Sequence, residues 1–570
     1  MNTPIGIDLG TTNSLIAIFK DGATEIIPNQ HGHLLTPSVV SVDEQDNIIV
    51  GIAARERLST APHLTAAAFK RFMGTDKIFK LGKREFRAEE LSALILGSLK
   101  ADAEAHLGET VRDVVITVPA YFNAIQRQAT QHAAQMAGLN VLRLLNEPTA
   151  AGLAYDLQEK PDDTRFLIYD LGGGTFDVSV LDYFDGVVQV SASAGDNHLG
   201  GEDFVQVLRH IFLNKVSGSL KANEKEKLLH SKELWQTLET AKRHLGKEER
   251  SEITFHYQEQ TLQATISRAE FEKAAEPLMA RLRQPLERAL RDAKLSPNDI
   301  DGIITVGGAS RMPMIRQSIA QLFRRIALVS VNPDEAIARG AAVQAALIAR
   351  NESVEETVLT DVMPFSLGTE VAQYLSENEI VGGRFEPIIE RNMAVPISRE
   401  KTFNTMRDNQ TQMVIEVLQG ESMLARENVK LGELTVKIPA KKAGEVSIDV
   451  RFSYDINGLL EVDVSNKDLN IQVNQVFQHN NQTLTPEEVA ASRAKLAALK
   501  IHPREQQQNV YLLEKAKRLY EECLGDDRHH ISHAVARFES ALNSQDEKTI
   551  KLAQKQLGEF LERYDGGWLL

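Results

Sequence analysis

The sequence predicts a multidomain protein: a two-lobed mixed α/β domain, then antiparallel β structure, then a helical C-terminal segment. Three observations predict it. Apolar strands alternate with long helical stretches up to residue 350. A unit of strand, aspartate, glycine/threonine turn and second strand occurs twice in that stretch, at residues 5–19 and 166–181. Beyond residue 363 the apolar period falls to two, and from Thr485 it is helical again. The length of 570 residues suits roughly three to four domains.

In the α/β part, Ile5–Leu9, Val114–Val118, Phe166–Leu171 and Ile303–Val306 read as strands. Ala88–His106, Ala124–Ala137 and Glu233–His244 read as helices. Around Glu352–Asp361 acidic residues dilute the apolar pattern, so 351–362 reads as a linker or a surface loop, with Val358-Leu359 as its apolar middle. Residues 363–478 alternate. Met413, Ile415 and Val417 share one face, and Val446, Ile448, Val450 and Phe452 do the same before Asn457-Gly458 turns the chain. In 479–570, Thr485-Pro-Glu-Glu488 is a helix start with a capping-box glutamate. Leu512, Ala516 and Leu519, then Ile550, Leu557 and Leu561, recur at helical spacing. That period fits a lid over the β part and a self-packing bundle equally.

Hydrophobic residues make up 42% and charged residues 25%, enough to bury several cores and to exclude disorder. A single cysteine, Cys523, excludes a disulfide framework and a cysteine-based zinc site, and fits a reducing compartment. No apolar run reaches the ~18–20 residues of a membrane span, and no basic-then-apolar leader opens the chain, so no membrane partner is expected. The 79 acidic residues outnumber the 64 basic ones, giving a net charge of -15; this argues against nucleic acid as a partner.

Asp8 and Asp170 each close an apolar strand just before a glycine turn. Gly10, Gly172, Gly173 and Gly174 can take positive φ and let backbone N–H groups approach an anion. Thr11, Thr12 and Thr175 add hydroxyls. One such turn is ordinarily only a turn. Two facing each other would clamp a polyphosphate, with the aspartates beside a hard cation such as Mg²⁺. Gly307-Gly308 forms a third glycine turn, in VGGASRMP. Neither a P-loop, nor GxSxG, nor HExxH occurs. Lys70 could reach a phosphate or stand in solvent. Glu147, directly before Pro148, could be a positioned acid or a cap.

Taken together, IGIDLGTTNS (5–14), VITVPAYFNAIQRQAT (115–130), LLNEPTAAGLAY (144–155), YDLGGGTFDVSV (169–180), LGGEDF (199–204), VGGASRMP (306–313) and NPDEAIARGAAVQAA (332–346) resemble the DnaK-type chaperones, the heat shock protein 70 family. MPFSLGTE (363–370) and VLQGE (417–421) extend the resemblance over most of the chain, which reads as a short, divergent and specialised member. The resemblance implies an actin-like (RNase H-like) ATPase domain at 1–350, a linker at 351–362, a β-sandwich peptide-binding domain at 363–478 and a helical lid with a short tail at 479–570. It implies an ATP-dependent, stress-related cytoplasmic chaperone for unfolded or specific client polypeptides, stimulated by a J-domain co-chaperone. An alternative is a nucleotide-gated regulator that sequesters one partner. A sugar or acetate kinase on similar lobes is disfavoured, because the β part has no kinase role.

By the same resemblance, the catalytic residues are Lys70, Glu147, Asp170, Thr175 and Asp177. ATP or ADP is held by Gly10, Thr11, Thr12, Asn13, Gly172, Gly173, Gly174 and Thr175. It is also held by Gly200, Gly201, Glu202, Glu239, Lys242, Arg243, Gly307, Gly308, Arg311 and Asp334. Asp8, Asp170 and Asp177 organise Mg²⁺, and K⁺ is a further candidate. Gly246 and Ala309 lack hydroxyls that other members carry. Coupling falls to Pro119, Arg127, Arg143, Asn146 and Asp361, and Thr360 stands where leucine is usual, which would bury a hydroxyl. Peptide contact falls to Phe365, Thr369, Val371, Ala372, Phe403, Met406, Met413 and Ile415, with Ala372 and Met406 forming an arch. Shorter lobe edges leave dependence on a nucleotide exchange factor doubtful.

Overall fold

The structure is a computed structural model. It describes residues 3–155, 163–184, 187–258, 260–328, 331–350, 358–376, 379–455, 458–478, 507–523 and 525–565. The first repeated unit builds a sheet ordered Asn140–Asn146, Asp113–Val118, Ile5–Asp8, Asn13–Lys20, Ala23–Ile26. Ile5–Asp8 runs parallel to Asp113–Val118 and forms an antiparallel hairpin with Asn13–Lys20. The second unit repeats the plan. Thr164–Leu171 runs parallel to Gly302–Val306 and hairpins with Phe176–Phe184. The central strands are buried almost end to end and mostly apolar, as strands covered on both faces are. Each lobe has its own core.

Between the lobes, helix Ala336–Ile348 packs on helix Glu147–Ala154 and on the strand Ile5–Asp8. Small residues allow the approach. A Cβ at Gly340 would lie 1.7 Å from the Ala150 carbonyl oxygen. Gly340→Ala is therefore expected to force the helices apart at a cost of ~1–3 kcal/mol or more. A thermal melt should show a lowered Tm, with ATP turnover falling in parallel; an unchanged melt would contradict the packing.

The linker region is a strand where described. Val358–Thr360 pairs parallel with Val187–Gln189 and becomes the fifth strand of the second lobe's sheet. Residues 351–357 lie outside the described residues. Thr360 is only half-buried, so the expected cost of burying its hydroxyl does not arise.

The β part is a sandwich of two four-stranded antiparallel sheets. One is ordered Glu379–Ile389, Leu367–Ser376, Gln412–Gln419, Val429–Lys437; the other Ile397–Asn404, Ser447–Tyr454, Leu459–Asn466, Ile471–Gln478. Alternate residues such as Ile415, Val450, Phe452 and Val462 fill the space between them. Helices Gln507–Glu522, Asp526–Ser544 and Glu547–Asp565 pack around their own core of Leu512, Leu519, Phe538 and Leu557. They also touch the sandwich, where Gln545 Nε2 donates to the Glu400 carbonyl at 3.1 Å. The bundle reading thus describes the helices' packing, and the contact with the sandwich exists beside it. Thr485–Glu488, read as a helix start, lies outside the described residues.

Candidate nucleotide site

The two aspartate–glycine turns meet. A Cβ at Gly173 would sit 1.9 Å from Thr12 Oγ1, so the second lobe's turn rests on the first lobe's threonine. Gly10 is held as tightly from within its own turn, where a Cβ would meet the Asn13 carbonyl oxygen at 2.0 Å. None of Gly10, Gly172, Gly173 and Gly174 takes the positive φ that the sequence suggested; close approach, not handedness, demands glycine there. Of the glycines read as nucleotide contacts, Gly307 alone is left-handed, with φ 79°.

A cleft of about 520 Å³ opens between the lobes. Its floor brings together Asp8, Lys70, Glu147, Asp170 and Thr175; Asn13 and Thr11 enter from one lobe, Gly201 and Glu202 from the other. Lys70 is buried, and its Nζ donates to Glu147 Oε1 at 2.8 Å. It also lies 5.6 Å from the centroid of the Phe122 ring. Asp170 and Asp177 face each other across the second hairpin. Asp177 is buried behind the cleft wall and accepts the Tyr121 N–H at 3.3 Å.

Four carboxyl groups thus surround one ammonium. Burial and then the Glu147 charge push Asp8 up to about 7 and Asp177 up to about 8. Asp170 is raised well above the carboxylate range by burial, Glu147 and Asp177. Asp170 Oδ2 and Asp177 Oδ2 are buried without a protein partner. Excess carboxylate with unused oxygens is a setting that a divalent cation fits. Among the described residues no three histidine, cysteine, aspartate or glutamate side chains are grouped so as to hold a metal ion by themselves.

At the outer end of the cleft, helix Lys232–Leu245 places Glu239, Lys242 and Arg243 on one face. Glu239 bonds both cations, at 2.6 Å to Lys242 Nζ and 2.9 Å to Arg243 Nε. Lys242 also donates to the Gly201 carbonyl. Gly308, Arg311 and Asp334 line the opposite side, with Arg311 paired to Asp334 at 2.6 Å. Gly174 and Gly200 fall outside the lining. Arg71 lies flat on Gly174, and Gly200 packs on the Gly173 backbone.

Sequence reasoning missed Trp235, which lines the cleft one helical turn before Glu239; its place on the same helical face was the available signal. It also missed Arg71. This guanidinium crosses the cleft from Lys70's turn to Glu202 at 3.4 Å and Asp203 at 3.3 Å. Burial pushes Glu202 up to about 7, against the pull of Arg71.

The coupling residues also converge. Arg127 donates to Asn146 Oδ1 at 2.6 Å and to the carbonyls of Ala120 and Phe122, gripping the turn that follows Pro119. Asn146 donates to Asp361 Oδ2 at 2.6 Å. Arg143 bonds Gln344 at 3.3 Å, and burial lowers its pKa against the attraction of Asp361.

The sandwich docks on the same face. Ala124 N–H donates to Gln419 Oε1 at 2.9 Å, and the Tyr121 ring stacks on Phe365 with centroids 4.3 Å apart. Phe365, expected against peptide, is thus placed at the boundary between domains. Thr369, Met413 and Ile415 are buried in the sandwich, and Val371, Ala372, Phe403 and Met406 are half-buried.

Two like lobes folding matched glycine turns over a floor of carboxylates and one lysine define an actin-like ATPase, here joined to a β-sandwich and a helical bundle. The family model described as "Hsp70 protein" matches residues 4–565. The chain is 45% identical to the chaperone protein DnaK of Thermotoga neapolitana over 476 residues, 82% of this chain and 78% of that protein. It is 44% identical to DnaK of Thermotoga maritima over 476 residues and to DnaK of Thermosipho africanus over 479, with the same shares. The chain belongs to the heat shock protein 70 family. It is a nucleotide-binding ATPase and a molecular chaperone. No helix among the described residues is long and apolar enough to cross a membrane.

Proposed function

We propose that this protein hydrolyses ATP in the interlobe cleft to control the grip of its β-sandwich on extended apolar segments of client polypeptides. One observation carries the reading. Val358–Thr360 is stitched into the second lobe's sheet, and the next residue, Asp361, is bonded to Asn146, the chain neighbour of Glu147. A chain of contacts therefore runs from the linker through Asn146 and Glu147 to Lys70. Movement at the nucleotide end is felt at the junction of the domains.

In the cleft, backbone N–H groups and hydroxyls of the two turns hold the phosphates. Lys70 orients the terminal phosphate and an attacking water, positioned in turn by Glu147. Thr175 and Asp177 complete the water's surroundings. Asp8 and Asp170 would hold Mg²⁺, and Asp8 and Asp177 are candidates for K⁺; a cation bound there would supply charge stabilisation for phosphoryl transfer. Glu239, Lys242, Arg243, Gly308, Arg311 and Asp334 hold the nucleoside. Arg71, paired with Glu202 and Asp203, ties the two lobes together beside the cleft.

In the sandwich, the arch residue Ala372 sits where the ladder between Val371–Arg384 and Gln373–Val381 slips by one residue. Such a bulge re-aims the backbone and leaves a residue unpaired. An extended peptide would bond backbone to backbone there, with its side chains in apolar pockets. A J-domain co-chaperone acting near Arg143 and Asn146, and a cytoplasmic setting, complete the reading.

The test is the release of a fluorescent apolar heptapeptide from the full chain. ATP should speed release by roughly 5- to 150-fold, the range of ordinary coupling free energies, and a J-domain protein should raise ATP turnover. Equal release rates with and without ATP would overturn the gating. Refusal of generic peptides, with one protein captured, would favour the sequestering regulator.

A further inference from the structure

The nucleotide cleft opens into a second cavity of about 330 Å³. The two share Asn13, Leu35, Arg243 and Asp334. Asn13 directly follows the first phosphate turn and begins the strand Asn13–Lys20, whereas Arg243 and Asp334 belong to the nucleoside face. This annex therefore leaves the cleft between the phosphate turns and the nucleoside face. In a nucleotide the sugar joins base to phosphates, so the sugar is the part that passes the annex's mouth. Beyond the shared residues, helix Ile52–Thr60 of the first lobe contributes Ile52 and Arg55, and the second lobe contributes Glu335.

The annex is lined by two carboxylates and two guanidiniums, and the carboxylates are already spent. Asp334 accepts Arg311 at 2.6 Å. Glu335 accepts Arg339 at 2.7 Å and Asn332 at 2.8 Å. The guanidiniums keep donors in hand. Glu239 takes Arg243 through Nε at 2.9 Å, which leaves both terminal nitrogens for another acceptor. The carboxylate paired with Arg55, that of Glu56, stands at 3.7 Å, beyond hydrogen-bonding distance. His33 lines the same space and adds a ring nitrogen able to donate. The annex thus offers unspent cationic donors from both lobes, Arg55 from the first and Arg243 from the second.

We propose that the annex is a subsite for an anionic group carried on the sugar of the bound nucleotide, a phosphate on its 2′ or 3′ oxygen, gripped between Arg55 and Arg243. This rests on the reading of the cleft as the nucleotide site. Guanidinium donors match phosphate oxygens in charge and in their forked geometry. A phosphate held from both lobes draws them together, so a ribose-phosphorylated nucleotide stays bound longer than ADP and occupies the cleft at ADP's expense. Plain ADP or ATP, with only hydroxyls on the sugar, leaves the annex to water.

The experiment titrates the full chain, with magnesium, by calorimetry using ADP, ADP bearing a 3′-phosphate and ADP bearing a 2′-phosphate. The side chains of Arg55 and Arg243 are 47% and 66% exposed, so solvent screens part of the contact. Wild type should bind one of the two phosphorylated forms about 10-fold tighter than ADP, the worth of a charge-assisted contact partly open to water. Arg55→Glu should abolish or reverse that preference. Its affinity for ADP itself should stay within about twofold of wild type, because Arg55 lines the annex and not the cleft. Arg55→Lys keeps the charge and should keep most of the preference. Equal affinity for all three nucleotides in wild type, or an undiminished preference in Arg55→Glu, would overturn the inference and leave the ATPase reading standing. Failure of ADP itself to bind would remove both.

Discussion

Replacing Lys70 with alanine will abolish ATP turnover and leave the nucleotide bound. Lys70 Nζ is the ammonium that meets Glu147 at 2.8 Å on a floor crowded by Asp8 and Asp170. Hydrolysis piles negative charge on the transferring phosphoryl group and the entering water. A preorganised buried cation there is worth roughly 10²- to 10³-fold in rate. Binding is spread over two backbone turns and the Glu239–Lys242–Arg243 face, none of which Lys70 builds. Single-turnover hydrolysis should therefore fall by at least 100-fold by this principle, with the dissociation constant for ATP little changed. Lys70→Gln keeps a donor toward Glu147 without the charge and should be nearly as inactive. Turnover within threefold of wild type would take Lys70 out of the chemistry.

The parts of this site that were legible in the sequence are those whose chemistry is local. An aspartate closing an apolar strand before a glycine turn needs only its neighbours to be recognised. The Glu239-x-x-Lys242-Arg243 face is different: its spacing alone reads as a solvated salt-bridge face, and only the family resemblance makes it a nucleotide contact. The pairing of two such turns into one cleft followed from their likeness, and Gly173 against Thr12 gives that pairing its contact. What was not legible depends on residues far apart in the chain. Arg71 meets Glu202 and Asp203 across more than a hundred residues, and no periodicity marks a charge for a distant partner. Phe365 shows the opposite difficulty. An apolar residue just before a strand looks the same whether it will cover a peptide or an aromatic ring of another domain, and only the structure shows Phe365 lying against Tyr121. The linker was read from its acidic dilution, yet Val358-Leu359 had enough apolar character to join a sheet once Val187–Gln189 offered an edge.

The second large effect lies at the junction of the domains. Arg391, in the turn after strand Glu379–Ile389, reaches Asp292 at the end of helix Glu276–Asp292 with two bonds, of 2.8 and 3.0 Å. Its third nitrogen meets Glu421 at 2.5 Å, and these carboxylates hold the guanidinium's pKa above its ordinary value. Asn392 donates to the same Asp292 and accepts the Ser193 N–H, so the turn is fastened to the second lobe at a helix end and at a strand. The pair is sheltered, with Asp292 15% and Arg391 30% exposed. A bidentate, partly sheltered pair is worth more than a surface ion pair and less than the 3–5 kcal/mol lost on breaking a fully buried one, so about 2 kcal/mol is reasonable. Arg391→Ala should shift the docking equilibrium by ~30-fold on that figure. ATP-triggered peptide release, which by our proposal needs the docked form, should slow by a similar factor at unchanged nucleotide affinity. Asp292→Ala, which also removes the bond from Asn392, should slow release at least as much, and the double variant should be no slower than Asp292→Ala alone, because the Arg391–Asp292 contact is already gone there. If each single variant releases peptide at the wild-type rate, this contact has no part in carrying the signal, and the route through Asp361 and Asn146 must suffice.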